Sequence, residues 1–323
     1  MGDMADVEDL RASLKGIQRA YLCMPPGQHM MDKAMAFMIA AEEAQLESMV
    51  WMSQWLSDPL HHSQLTRETY YVDRIMHWLP NMLTTIVNPG WFADNYFLVL
   101  EPMAQLGIMP MPLGNGLNPP PSNEDMGRVV ASILVDPEPH HRKIYRPTGP
   151  KLLSPTEIVE IIGGTLGRKV RYMDIPEKMF LKAIRSQGYH DFFPTILKYY
   201  TEDYRLNAFA AGGPTDVVER LTGRPPEDFE TIAQRYVSTR PEARRTLRNK
   251  VKAIWAFAKI LLTSTPDVKA IERRWEVPQL PSSRFATENL YWKKTHDFQN
   301  AYGLGSENSG ASPEHRYAVR QVA

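Results

Sequence analysis

The run Leu83-Thr-Thr-Ile-Val87, which leads directly into Asn88-Pro89-Gly90-Trp91-Phe92-Ala-Asp94-Asn95, constrains the fold more tightly than any other stretch. Uncharged, β-branched residues without polar alternation suit a strand covered on both faces, the arrangement of a parallel sheet between layers of helices. Asn-Pro-Gly ends such a strand. Sheets of this kind bind ligands beyond the carboxyl ends of their strands. Asn88, Pro89, Gly90, Trp91, Phe92 and Asn95 are therefore expected at a binding edge.

The flanking sequence repeats the same alternation. Asp6 caps a short helix that stops at Gly16, and Arg19-Ala-Tyr-Leu-Cys-Met-Pro25-Pro26 reads as a strand ended by a double proline. A Met- and Ala-rich helix over 28–45, a strand over 48–55 and a helix over 64–79 bring the chain to Leu83. Helices and strands in alternation predict an α/β fold with a parallel, doubly wound sheet. Helical residues follow to Leu106, then an irregular Met/Pro/Gly stretch over 108–121. Ser122 starts an amphipathic helix to Leu134, and Lys143 to Gly149 is a short strand and turn. Ser154-Pro155-Thr-Glu157 carries a Ser N-cap, a Pro at the first helical position and a Glu that closes a capping box. That helix is expected to end at Gly167 and to precede a strand over 170–175. A helix over 241–263 begins with Arg244, Arg245, Arg248 and Lys250; cations there oppose the helix dipole, which predicts acidic partners elsewhere. The tail from Gly303, rich in Gly, Ser and charge, is expected to be disordered.

Several segments, in order, resemble the NmrA-like branch of the short-chain dehydrogenase/reductase superfamily. Ile-Val-Asn-Pro-Gly-Trp-Phe-Ala-Asp-Asn is similar to that family's R-P-G-x-F-x-x-N segment. Gly2-Asp3-Met4 with Leu10, Leu14, Gly16 and Tyr21-Leu22, Tyr145-Arg-Pro-Thr-Gly-Pro150, Leu153 to Val159, Leu166 to Tyr172 and Leu221 to Phe229 match further phrases. The resemblance spans residues 2 to 238. It implies a Rossmann-type sheet with a smaller, mostly helical C-terminal lobe and a cofactor of NADP or NAD, NADP favoured. The implied division is a partial nucleotide-binding domain over 1–106, with 122–150 returning to it, a substrate lobe from 107–121 and 151–270, and an extension over 271–323.

In the family, the phrase that begins here at Gly2 follows the third strand. The resemblance thus implies an N-terminally truncated sheet. Neither GxGxxG nor GxxGxxG occurs in the chain, so the glycine-rich turn that cradles a pyrophosphate on backbone N–H groups is not represented. Ala20 to Met24 is apolar and reads as an interior strand, yet no strand precedes it to pair with. An uncovered edge of that kind invites strand addition. The sequence predicts either an incomplete gene model, or a protein partner or self-association at strand 19–24.

Hydride-transferring members of the superfamily use a Tyr with a Lys four residues on, which lowers the Tyr pKa. None of the 14 tyrosines has a Lys at that spacing. Tyr70 has Arg74 at it, on the helix before the strand at 83, and these two are the catalytic candidates. For the cofactor the resemblance points to Asp3 near the adenine, Met24, Pro25 and Pro26 flanking the adenosine ribose, Ser53 at the end of the next strand, and Asn88, Pro89 and Gly90 on the nicotinamide side. Gln54, Trp91, Phe92 and Asn95 are the substrate-side candidates. The pairs His61-His62 and His140-His141 adjoin prolines in expected loops and lack the Cys or spaced acids of a metal site, so they are read as solvent-exposed. Cys23, the single cysteine, reads as a buried, inert thiol in a strand.

Lys plus Arg and Asp plus Glu each number 37, and this balance argues against a nucleic-acid partner. The apolar run Ala253 to Leu262 is broken by Lys259 and is far short of a bilayer span, and the acidic start lacks a secretory core. No membrane partner and a cytoplasmic location follow. The leading expectation is an NAD(P)H-dependent oxidoreductase for a small carbonyl or quinone-like substrate. The alternatives are a non-catalytic redox sensor acting through a protein partner, and a truncated chain without cofactor binding.

Overall fold

The computed structural model describes residues 2–27, 29–190 and 192–296; the tail expected to be disordered from about 303 lies outside the described residues. The chain opens with α1 (Val7–Leu14), whose N-cap Asp6 accepts from the Glu8 amide, and β1 (Arg19–Leu22). Then come α2 (Met30–Glu43), β2 (Ser48–Met52), α3 (Gln64–Met76) and β3 (Leu83–Val87). A 3-10 turn, Ala93–Val99, runs into α4 (Leu100–Leu106), followed by β4 (Ile108–Met111), α5 (Asn123–Val135) and β5 (Lys143–Tyr145). The remainder is α6 (Pro155–Thr165), β6 (Arg171–Asp174), α7 (Glu177–Ser186), α8 (Phe192–Arg205), α9 (Val217–Thr222), α10 (Phe229–Thr239), α11 (Leu247–Leu262), α12 (Val268–Arg274) and α13 (Leu290–His296).

The main sheet has the order β1-β2-β3-β5, with every pairing parallel. Its two faces bury different side chains because strand residues alternate sides. Leu22, Met49, Trp51 and Ile86 meet Leu14, Ala34, Met38, Val72 and Met76 from α1, α2 and α3. Val50, Val87 and Tyr145 meet Met126, Val129, Ile133 and Val218 from α5 and α9. This is the doubly covered α/β sheet that the run at Leu83 requires. A second core gathers the helical C-terminal region around Trp55, Trp91, Tyr96, Phe209, Phe229 and Trp292.

At β1 the outcome differs in part from the sequence reading. β1 is an edge strand among the described residues, and it alternates: Ala20 and Leu22 are buried, whereas Tyr21 is exposed. Cys23 is exposed rather than buried, because it follows the last paired residue on the side of Tyr21, beyond the cover of α5.

The segment expected to be irregular also contains structure. β4 pairs in parallel with β6, Ile108 opposite Arg171 and Met111 opposite Asp174. Gly107 makes the entry possible: at φ +73° it ends α4, and a Cβ there would meet the Lys169 carbonyl at 3.1 Å. The capping box at α6 forms as its spacing requires, with the Glu157 amide donating to Ser154 Oγ at 3.3 Å and the Ser154 amide donating to Glu157 Oε2 at 2.8 Å.

Residues 284–296 fold back onto the loop between β2 and α3. The Arg284 amide donates to the Leu60 carbonyl at 2.9 Å, Asn289 Nδ2 to Asp58 Oδ2 at 2.7 Å, and Trp292 Nε1 to the Trp55 carbonyl at 3.3 Å. His61, expected in solvent, is fully buried here. Its Nε2 lies 2.7 Å from Asp203 Oδ2 on α8, and Asp203 Oδ1 accepts from the Ala286 amide. His140 and His141 are partly buried and also engaged: His140 Nδ1 is 2.8 Å from the Tyr145 hydroxyl, and His141 Nδ1 accepts from the Thr84 amide. Asp203 and Thr84 are distant in sequence from His61 and His141, whereas Tyr145 is only five residues on from His140.

Candidate functional site

The carboxyl ends of β1, β2 and β3 open into two compartments. The outer one is a cleft of about 190 Å³ lined by Met24, Pro26, Met30, Trp51, Ser53, Gln54, Trp55, Thr69, Pro89, Gly90, Trp91, Phe92, Asn95, Tyr200 and Phe209. The inner one is a polar cavity of about 30 Å³ between α3, the loop after β2 and α13. That is room for about one water molecule. Its walls carry Ser57, Asp58, Tyr70, Asp73, Arg74, His77, Asn88, Tyr291 and His296.

The sequence candidates divide between these compartments. Met24, Pro26, Ser53, Pro89 and Gly90, and all four substrate-side candidates Gln54, Trp91, Phe92 and Asn95, converge on the outer cleft. Pro25 is exposed beside it and is not part of its lining. Asn88 faces the inner cavity; its amide donates to the Tyr145 carbonyl at 2.8 Å, while its buried Oδ1 has no hydrogen-bond partner among the described residues. Asp3 lies apart from both. It is exposed and accepts from the Ala5 amide at 2.9 Å in the turn that leads into α1. Tyr70 and Arg74 face the inner cavity, not the cleft. Burial raises the Tyr70 pKa and outweighs the lowering effect of Arg74, which is opposite to what an active tyrosine acid requires.

In the cleft wall, Gln54 is held in place rather than left free. Its Nε2 donates to Thr69 Oγ1 at 2.8 Å, and its Oε1 accepts from Thr66 and from the Tyr200 hydroxyl. Trp55 Nε1 donates to the Ala208 carbonyl at 3.0 Å, and the Arg146 guanidinium lies 3.5 Å from the centre of the Trp55 ring. Arg146 is only 3% exposed, donates Nη2 to the Phe209 carbonyl at 2.7 Å, and has its pKa pushed well down by burial. Its Nε and Nη1, together with Trp91 Nε1 and Asn118 Oδ1, are buried without hydrogen-bond partners among the described residues. Gly90 sits tightly beside this group: a Cβ there would lie 3.2 Å from the Phe209 ring and 3.8 Å from Asn118 Oδ1.

One carboxylate joins the two compartments. Asp73 Oδ2 accepts from Ser53 Oγ, a cleft residue, at 2.9 Å and from Ser57 Oγ at 2.6 Å, while Oδ1 accepts from Trp51 Nε1 at 2.8 Å. Burial pushes the Asp73 carboxyl up to about 7, against the opposing pull of those three donors and of Arg74. Burial holds His77 down to about 4 and His296 down to about 3, so both are neutral at pH 7, and burial also raises Asp58. Sequence reading did not single out Asp73. Its only signal is its place on α3 one turn after Thr69, and its three donors come from β2 and the loop beyond it.

A parallel sheet with ligand-sized space beyond its strand ends, backed by a helical lobe, defines the dinucleotide-binding class of α/β proteins. The NmrA-like family model matches residues 1–211, and the chain belongs to the NmrA-like family. It is similar to the NAD(P)H azoreductase of Xenophilus azovorans, with 25% identity over 251 residues, which is 73% of this chain and 82% of that one. Among solved structures it resembles an NADPH-dependent quinone oxidoreductase from Escherichia coli complexed with NADPH, with a TM-score of 0.64 and 18% identity over 73% of this chain and 82% of the other. It also resembles the triphenylmethane reductase of Citrobacter sp. complexed with NADP(H), with a TM-score of 0.62 and 17% identity over 72% and 81%. Among the described residues no helix is long and apolar enough to cross a membrane.

Proposed function

We propose that this chain is an NAD(P)H-dependent oxidoreductase that reduces a small carbonyl or quinone-like acceptor held in the outer cleft. The observation that carries this reading is the convergence of Met24, Pro26, Ser53, Gly90, Trp91 and Phe92 on one cleft beyond the parallel strands. We assign the nucleotide-binding part to 1–106 with 122–150, and the substrate lobe to 107–121 with 151–270. The cleft fits the nicotinamide end of the cofactor. Glycine at 90 keeps the wall close without a side chain. The pyrophosphate end has no glycine-rich strand-to-helix turn among the described residues. The exposed edge of β1, with Tyr21 and Cys23, is where a partner strand or a second copy would complete the sheet. A cytoplasmic location accords with these assignments.

When bound, the cofactor supplies a hydride. The chain itself must supply the proton, and we assign that role to Ser53 backed by Asp73. Ser53 Oγ passes its proton to the acceptor oxygen, and protonated Asp73 reprotonates Ser53 across the 2.9 Å contact and is left as the carboxylate. Solvent water reaching the inner cavity then returns a proton to Asp73 and restores the starting state. A carboxyl titrating near 7 suits a general acid working near neutral pH.

The test combines binding and turnover. NADPH and NADH are titrated calorimetrically into the 323-residue chain, and NADPH consumption is followed with a panel of quinones. The reading requires both binding and turnover; binding without turnover would instead favour the sensor. For the proton route, activity should fall as pH rises through about 7, and Asp73→Asn should remove that limb, with kcat about 10²-fold lower. Independently of cofactor, the Trp51 indole N–H resonance should titrate near pH 7 in the wild-type chain and not in Asp73→Asn. Turnover with an unchanged pH profile in that variant would refute the relay alone.

A further inference from the structure

We propose that the exposed face of α11 docks onto an anionic phospholipid bilayer, making this chain a peripheral membrane protein. α11 contacts the rest of the molecule along one side only, where Ala253 is buried and Asn249 Nδ2 reaches the Pro241 and Arg244 carbonyls. The opposite side is apolar and open to solvent. Leu247, Trp255 and Leu262 are 80%, 72% and 89% exposed, and Val251, Ile254 and Leu261 are exposed with them. At 3.6 residues per turn these six positions project into a single arc roughly 120° wide. A scattered apolar residue on a surface is ordinary, but a continuous stripe running the length of a helix marks an interaction face.

The charges around that arc identify the partner. Arg248, Lys252 and Lys259 project along one margin and Lys250 along the other, and Arg244 and Arg245 precede the helix. No Asp or Glu lies between Glu242 and Asp267. Two of the cations are fixed at the rim: Lys252 Nζ lies 3.0 Å from Glu101, and Lys259 Nζ donates to the Ser186 carbonyl at 2.6 Å. On α7, Lys182 and Arg185 reach the carbonyls of Leu261 and Ser264, adding positive charge beside the same end. An apolar face that carries Trp and Leu and is bordered by Lys and Arg is the composition of a helix lying in the membrane interface, where the apolar residues enter the acyl boundary and the cations meet lipid phosphates. A second copy packed antiparallel on this face by a two-fold axis would set cation rows against cation rows, with Glu101 the one acid described at the rim, which disfavours self-association. A zero net charge for the whole chain conceals this segregation. The contact is peripheral, since α11 has only 16 residues.

The experiment is co-sedimentation of the full chain with vesicles of phosphatidylcholine alone and of phosphatidylcholine containing one-third phosphatidylserine, at low and high salt. We expect at least tenfold more chain bound to the anionic vesicles, loss of that binding at high salt, and a blue shift of Trp emission that is absent in Trp255→Phe. Trp255→Glu combined with Leu262→Glu should abolish binding while leaving the circular dichroism and the thermal midpoint unchanged, because both side chains face solvent. Equal, weak binding to both vesicle types would overturn the proposal. So would a concentration-dependent dimer in sedimentation velocity that the same double variant converts to monomer, which would make the face a self-association surface.

Discussion

The outer cleft and the inner cavity share the ends of β2 and β3, yet they are opposite in kind. The cleft is open and mostly aromatic and aliphatic, with polar groups such as Gln54 locked by neighbours; the cavity is narrower and more enclosed, has room for about one water and is crowded with ionisable groups. The difference follows from what covers each. The cleft is bordered by loops that leave its mouth free, whereas α13 and the Trp55–Trp292 contact close the cavity. Closure removes solvent and moves pKa values, and the open side keeps the surface for binding. The two compartments therefore divide labour, and Asp73 links them through its contacts with Ser53 and Trp51 of the cleft wall.

The largest expected effect comes from removing the shared wall. Trp55 is 1% exposed, meets Trp292 edge-on at 5.8 Å and lies under the Arg146 guanidinium. Trp55→Ala should cost about 4 kcal/mol in denaturant unfolding and impair both compartments at once. A cost below about 1 kcal/mol would mean that the compartments are not built on a common wall. A smaller effect should be confined to the cleft. Gly90→Ala places a methyl 3.2 Å from the Phe209 ring and should weaken NADPH binding about tenfold, or ~1.4 kcal/mol, by calorimetry, with little change in stability. The smallest is expected from Tyr70→Phe, which alters only the cavity wall: kcat should stay within about threefold of wild type, or ~0.7 kcal/mol. A loss near 10²-fold would place the Tyr70 hydroxyl in the chemistry and erase the distinction between the two spaces.

Legibility in the sequence tracked how local each determinant is. The box at Ser154 and Glu157 needs only residues three apart, and the strand at Leu83 needs only its own composition, so both could be read directly. β4 could not, because Pro110 sits within it and its partner β6 lies about sixty residues on, across α5 and α6. Buried His61 looked like a loop residue beside prolines; its carboxylate partner Asp203 is 142 residues away. The candidates placed at strand ends fell around the two compartments, but which compartment each would face depends on side-chain direction after the strand stops. Asn88 and Gly90, two residues apart, face different spaces for that reason. Asp73 is not legible in the sequence because a lone acid on an amphipathic helix ordinarily points to water, and its donors Trp51, Ser53 and Ser57 only come together once β2 and α3 have packed.

The closure of the cavity by residues 284–296 has a consequence for the order of events on the ribosome. Trp292 reaches the Trp55 carbonyl across 237 residues of chain. At about 5–20 residues per second, the first half of the molecule waits on the order of ten seconds or more before that cover can emerge. Until then Asp58 lacks the Asn289 amide, and the cavity lacks the wall formed by Tyr291, Trp292 and His296. The enclosure of this cavity is thus acquired only at the end of synthesis, and a nascent chain carries the sheet β1-β2-β3-β5 before it carries the covered site.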